Sequence, residues 1–259
     1  MNRDTAHRGA ADTGNVGLPG ARSALDRGAA VVLPNPAPLT GVVAATAPGT
    51  VNAAKGRPVA QPVALWAHHP DTLAALRQAL ALDASAAALA HRLLAEEHLT
   101  LLVPLRTDGP PPDWLAPAAQ AGWALLFGAR WAPLRPLLAP FPLLYVSSAN
   151  RTGRPPAESA ADALAMFPAG TAVLGTGDLP ATGLPLGDLP ATGPAPARRA
   201  TTTLRLHPGG GLDLYRHGAQ DHRHGGAAGY LRHLRTAYGT PDSWAAGDPG
   251  DDRHEGRTG

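Results

Sequence analysis

Short apolar runs separated by loops rich in glycine and proline restrict most strongly how this chain can fold. Ala29–Leu33, Leu99–Leu105 and Leu143–Ser147 have the length of buried strands and are too short for buried helices. Between such runs lie segments with apolar residues three and four apart, which is typical of amphipathic helices. Strands that alternate with helices in this way predict an α/β or α+β domain of roughly 200 residues.

Interruptions of this pattern give the predicted boundaries. Residues 1–20 are polar and are expected to form a disordered leader, residues 21–218 the domain, and residues 219–259 a mostly disordered tail. Because Gly177–Gly183 is repeated only once, as Gly187–Gly193, a solenoid is excluded and residues 175–200 are interpreted as a flexible insertion. The small residues, prolines and glycines of segment 35–50 predict a loop.

Composition excludes several classes of protein. The chain has no cysteine, which rules out disulfide bonds and thiolate metal sites. Its net charge is +2, and no block of lysine and arginine indicates a nucleic-acid surface. No stretch reaches the roughly 20 apolar residues of a membrane span, and the polar N-terminus does not resemble a signal peptide. A cytoplasmic protein without a membrane partner is therefore expected.

A single lysine stands among 22 basic residues. It is Lys55, in the sequence Lys55-Gly56-Arg57-Pro58. In an extended segment, residues two apart point to the same side, and proline biases the residue before it toward extended geometry. Lys55 and Arg57 are therefore interpreted as a pair that grips a polyphosphate from one wall of a site. The alternative is a solvated basic loop.

A second polar group, Ser148-Ala149-Asn150, follows a predicted strand and precedes a predicted helix over 157–167. The carboxyl ends of strands are where α/β sheets place ligands. A hydroxyl and an amide two residues apart can both bind a polar substrate without adding charge. The alternative is an ordinary strand-to-helix turn capped by its own side chains.

Together, Lys55-x-Arg57 and the later Ser148-x-Asn150 resemble the signature of the YrdC-like (threonylcarbamoyl-AMP synthase) family. Other segments in the same order extend the resemblance over residues 21–219. Gly128-Ala129-Arg130 resembles an internal Gly-Val-Arg, Ala200–Leu204 resembles a Ser-Thr-Val-Val segment, and Leu214–Gly218 resembles a closing Leu-Arg-Pro-Gly.

The resemblance implies a twisted mixed sheet around a deep basic cavity, flanked by helices. Members of the family bind ATP with Mg²⁺, form a carbamate from threonine and bicarbonate, and adenylate it with release of pyrophosphate, for tRNA threonylcarbamoyladenosine modification. By resemblance, Lys55 and Arg57 would be catalytic, and Mg²⁺ would arrive with the nucleotide rather than on dedicated protein ligands. The resemblance also implies residues that bind substrate or nucleotide: Ser148, Asn150, Thr40, Arg130, Thr202 and Arg216.

Two segments depart from the family pattern. Where the family has Pro-Thr-Asp/Glu-Thr-x-Tyr-Gly, this chain has Pro34–Gly41, and Arg205 stands in the place of an acidic residue. Three functions therefore stay open. The chain is a threonylcarbamoyl-AMP synthase that serves downstream tRNA-modification proteins, a paralogue with another acyl substrate, or a non-catalytic relative that binds nucleotide or, weakly, double-stranded RNA.

Overall fold

The computed structural model describes residues 14–128, 131–179 and 197–239. Within these ranges, eleven strands form one mixed sheet. The strands are β1 (Asn15–Val16), β2 (Val31–Leu33), β3 (Val42–Ala45), β4 (Ala64–Trp66), β5 (Thr100–Pro104), β6 (Ala119–Gln120), β7 (Trp123–Phe127), β8 (Tyr145–Ser148), β9 (Ala172–Leu174), β10 (Thr203–Leu206) and β11 (Leu212–Arg216).

Eight α-helices accompany this sheet in the same ranges. They are α1 (Leu18–Asp26), α2 (Pro48–Lys55), α3 (Pro70–Ala79), α4 (Ala84–Glu96), α5 (Arg135–Leu138), α6 (Ala160–Met166), α7 (Ala219–Arg223) and α8 (Ala227–Tyr238). Short 3-10 helices occupy Ala116–Ala118, Ala132–Leu134 and Thr176–Asp178.

The strand order is β1-β9-β2-β3-β8-β4-β7-β5-β10-β11, with β6 paired to β7. Parallel and antiparallel pairs are mixed: β4 is parallel to β7, whereas β5 is antiparallel to it. The central strands therefore bring together segments that are far apart in the sequence. The mixed α/β sheet that the sequence predicts is confirmed.

Because side chains alternate along a strand, the sheet has two faces. One face is buried under α2, α3, α4, α6 and α8, through residues such as Val51, Leu93 and Leu234. The other face packs on α1 and α5 through Leu25 and Leu137. That second cluster draws on β2, β3, β4, β7, β8 and β9, and on none of β5, β10 and β11. Over the last three strands, polar residues such as Thr100 and Thr203 are buried on the second face in place of this apolar cluster.

The prediction of a loop over 35–50 is wrong. This segment contains β3, which pairs with β2 and β8, and the first residues of α2. Pro48 stands in the first turn of α2, where its missing N–H costs nothing. Gly56 ends the helix with a left-handed backbone (φ 64°), which glycine adopts without strain. Because the segment consists largely of small residues, prolines and glycines, the sequence did not predict β3 or the start of α2.

Ordered structure also extends into the predicted leader and the predicted tail. β1 pairs with β9 and α1 begins at Leu18, so ordered structure starts before residue 21. At the other end, α8 buries Tyr230 and Leu234 in the core. Residues 1–13 and 240–259, and residues 180–196 of the predicted insertion, lie outside the described residues. In the described ranges, no helix combines the length and hydrophobicity needed to cross a bilayer.

Candidate functional site

A cleft of about 180 Å³ opens on the second sheet face. Strands β5, β7 and β10 supply its floor through Thr100, Leu125 and Thr203. Its lining is rich in neutral hydrogen-bonding groups, and Arg216 is the charged side chain among its described residues. The polar lining residues are Asn35, Thr40, Thr100, Ser147, Ser148, Thr201, Thr203 and Tyr215.

Lys55 lies directly behind one wall of this cleft. It is the last residue of α2 and only 3% exposed. Its Nζ donates to the carbonyl of Ser148 (2.5 Å), the carbonyl of Asn150 (2.7 Å) and Asn150 Oδ1 (2.7 Å). The three protons of an ammonium group thus match three oxygens of one turn. Lys55 therefore braces the Ser148–Asn150 turn, and Ser148 in turn lines the cleft.

Burial, and then the nearby charge of Arg57, lower the pKa of Lys55 to about 7. Burial disfavours the charged form because it removes water from the ammonium. Deprotonation leaves two donors for three oxygens, so the charged form is the one that satisfies the whole turn. Burial also lowers the pKa of Arg57 and of Arg216, although a guanidinium stays charged at neutral pH.

The Ser148–Asn150 turn is itself closed by hydrogen bonds. Ser148 Oγ donates to Asn150 Oδ1 at 2.6 Å, and Asn150 Nδ2 donates to the carbonyl of Arg154 at 2.8 Å. Both side chains of the predicted pair are thus engaged with each other, and only Ser148 belongs to the lining of the cleft. Asn150 positions the turn from behind.

Arg57 does not face the cleft. Because α2 extends to Lys55 and Gly56 reverses the backbone, Lys55 and Arg57 do not share one side of an extended segment as predicted. Arg57 Nε donates to Asn52 Oδ1 at 2.5 Å, and Asn52 Nδ2 donates to the carbonyls of Val59 and Gln61. The Arg57 guanidinium therefore orders the loop after α2.

Tyr215 and Arg216 both line the opposite wall of the cleft, although they are consecutive in β11. The register of β10 with β11 shifts between Thr203 and Leu204, which leaves Tyr215 as an extra residue. Such a bulge bends the strand and re-aims its side chains. The Arg216 guanidinium lies near the carbonyl of Thr201, at 3.4 Å from Nη2.

Segment 34–41 contributes Asn35, Thr40 and Gly41 to the lining of the cleft. Asn35 Nδ2 donates to the carbonyl of Thr40 at 2.9 Å, whereas Asn35 Oδ1 is buried and has no hydrogen-bond partner among the described residues. Arg198 holds this loop in place by donating to the carbonyls of Asn35 and Leu39. A ligand that donates a hydrogen bond would satisfy the buried Asn35 oxygen.

Two other predicted site residues lie elsewhere. Thr202 faces away from the cleft: its Oγ1 donates to Asp221 Oδ1 at 2.7 Å, beside α7. Burial raises the pKa of Asp221, but hydrogen bonds from His217, Thr202 and Gly218 outweigh it, so that the pKa is lowered overall. Arg130 lies outside the described residues.

Several residues that line the cleft were not predicted from the sequence. Thr201 and Thr203 flank Thr202, and strand alternation would have assigned them to the face opposite to it. Asn35 directly follows Pro34 after a buried strand, which is a usual place for a ligand-binding residue. Tyr215 carried no comparable signal, because its orientation depends on the bulge.

No protein-family model and no curated protein sequence matches the chain. Solved structures do. P. abyssi Sua5 in complex with L-threonine has a TM-score of 0.56 and 16% identity, over 87% of this chain and 59% of the Sua5 chain. A variant of P. abyssi Sua5 has a TM-score of 0.54 and 18% identity, over 85% and 56%. Full-length HypF in its phosphate- and nucleotide-bound form has a TM-score of 0.50 and 15% identity, over 78% and 29%.

These similarities show the fold. The chain has the Sua5/YrdC-like arrangement of an open, twisted mixed sheet with flanking helices. It spans less than two thirds of the Sua5 chains that it matches.

Proposed function

We propose that this chain forms threonylcarbamoyl-AMP from threonine, bicarbonate and ATP, with release of pyrophosphate. The observation that carries the proposal is the cleft itself. It combines many neutral hydrogen-bonding side chains with Arg216 and with a turn that a buried ammonium braces. The structural neighbours include one crystallised with L-threonine and one with phosphate and nucleotide.

The chemistry needs this kind of surface. The threonine amine attacks bicarbonate, water leaves, and a carbamate forms. A carbamate oxygen then attacks the α-phosphorus of ATP, and the bond to the bridging oxygen breaks as pyrophosphate departs. Both reactants are anions and charge develops on the leaving group, so fixed cations and neutral donors supply most of the stabilisation. No side chain of the protein forms a covalent bond.

In this proposal, Ser148 and the hydroxyls of Thr201 and Thr203 orient the nucleotide, and Arg216 faces its phosphates or the substrate carboxylate. Lys55 acts through the turn that it braces, because its three donors are already engaged. Mg²⁺ enters with ATP. The described lining residues include no carboxylate, so phosphate oxygens and water would hold the ion.

A second function rests on a specific observation. Segment 34–41 departs from the family pattern Pro-Thr-Asp/Glu-Thr-x-Tyr-Gly and lines the cleft through Asn35 and Thr40, and Asn35 Oδ1 has no hydrogen-bond partner among the described residues. A paralogue that carbamoylates and adenylates a different amine is the alternative. The third hypothesis is a non-catalytic protein that binds nucleotide or RNA.

A pyrophosphate-release assay distinguishes these three functional hypotheses. We expect the purified chain to release pyrophosphate from ATP-Mg only when threonine and bicarbonate are both present, and mass spectrometry should detect the adenylate product. Omitting threonine or bicarbonate in turn is the control. Pyrophosphate release that requires another amino acid would favour the paralogue with a different amine substrate over the threonylcarbamoyl-AMP synthase. ATP binding without pyrophosphate release in the presence of any amino acid would contradict both catalytic hypotheses.

A further inference from the structure

A second cation stands farther along the same face of the sheet. Arg205 lies on β10, two residues after Thr203, and therefore points to the cleft side. Trp123 lies on β7 and shares the face of Leu125 and Phe127, which line the cleft. The Arg205 guanidinium thus lies on the sheet face that holds the cleft. It is two residues along β10 from Thr203, which pairs with Arg216.

The surroundings of Arg205 leave its charge unpaired. Its guanidinium carbon lies 4.9 Å from the ring centre of Trp123 and 5.2 Å from that of Tyr215, which itself lines the cleft. Arg205 Nε is buried without a hydrogen-bond partner among the described residues. The two rings hold the guanidinium plane while its hydrogen-bonding capacity is left unused.

The carboxylate across from Arg205 in the neighbouring strand is already engaged. Asp213 stands opposite Arg205 in the register of β10 with β11. Its Oδ2 is 2.6 Å from Nε2 of His207, and His207 packs edge-on against Trp123. In the described ranges no carboxylate lies within ion-pair distance of Arg205, so its charge is open to an anionic group of a ligand.

From this arrangement we infer that Arg205 binds a carboxylate group of the small molecule that occupies the cleft. A guanidinium edge matches a planar carboxylate through two parallel hydrogen bonds. The carboxylate is either the α-carboxylate of the amino-acid substrate or a carboxylate on its side chain. This inference rests on the proposed function only in taking the ligand to be an amino acid.

Calorimetric titration without ATP or bicarbonate tests the inference independently of turnover. The probes are L-threonine, L-threoninamide, L-glutamate and L-glutamine, titrated into the wild-type chain and the Arg205→Met variant. We expect the variant to bind a carboxylate ligand at least about 10-fold more weakly. A loss for threonine and not for threoninamide assigns the α-carboxylate. A loss for glutamate alone assigns the side-chain carboxylate.

Two further variants complete the experiment. Arg205→Lys keeps the charge and loses the planar edge, so we expect severalfold weaker binding from a chain that still folds. Arg77→Met removes one exposed charge from α3 on the other sheet face and should bind all four probes as the wild type does. Equal losses for threonine and threoninamide, unchanged affinities in both Arg205 variants, or no binding of any probe by the wild type would overturn the inference.

Discussion

Replacing Lys55 by methionine is expected to lower kcat/KM for pyrophosphate release by about 100-fold, which is the effect that misplacing a binding group by about 1 Å can have. Methionine fills a similar volume but donates no hydrogen bond. The carbonyls of Ser148 and Asn150 and the Asn150 Oδ1 would lose their common donor. The turn would then no longer hold Ser148 in place at the wall of the cleft.

The Lys55→Met variant should nevertheless fold, because the substitution removes a buried charge as well as its hydrogen bonds. Circular dichroism would check this, and Arg77→Met is the matched control for the loss of one positive charge. A folded Lys55→Met variant with kcat/KM within about threefold of the wild type would show that the turn does not depend on Lys55, since a displaced Ser148 is expected to cost far more.

The second large effect concerns stability. Gly218→Ala is expected to destabilise the chain by about 3 kcal/mol, at the upper end of overpacking effects. A Cβ at this position would lie 2.3 Å from the Thr202 nitrogen, 2.4 Å from the Thr201 carbonyl carbon and 2.6 Å from the Ala200 oxygen. These are backbone atoms that cannot rotate away. Ala200 and Thr201 line the cleft, so the same clash would distort the site.

Thermal unfolding measures this effect, and a chain of this size should lose roughly 6–12 °C in Tm. The matched control is Gly209→Ala, in the turn between β10 and β11, where an added Cβ would meet nothing within 4 Å. We expect that control to change Tm little. Equal Tm values for the Gly218→Ala variant and the wild type would mean that the 200–202 segment does not pack against Gly218 as described.

The sequence predicted the strands well where apolar runs were bounded by turn residues. Leu99–Leu105 contains β5, and Leu143–Ser147 overlaps β8, so that Ser148 was correctly expected at a strand end. Strand β3 was missed because Val42–Ala45 is short and lies between glycine- and proline-rich neighbours. Its pairing partners are β2 and β8, and tertiary context decided its conformation.

The candidate site was predicted only in part, for a related reason. Because α2 was not predicted, Lys55 and Arg57 were expected on an extended segment. The helix instead ends at Lys55, so the two side chains point in different directions. Lys55 was expected to reach a ligand and instead reaches a turn of the protein. Tyr215 and Arg216 share one wall because of a register shift, which depends on the pairing of β10 with β11 and leaves no trace in local sequence.

We propose that ATP binds in the cleft beside the buried Lys55. Because Lys55 is the only lysine of the chain, protein labelled with ¹³C-lysine gives a single Cε resonance to titrate. We predict a midpoint near pH 7 instead of the ordinary 10.5. Added ATP-Mg should raise this midpoint, since a nearby anion favours the ammonium form. A midpoint near 10.5, or a midpoint that ATP-Mg leaves unchanged, would contradict this proposal.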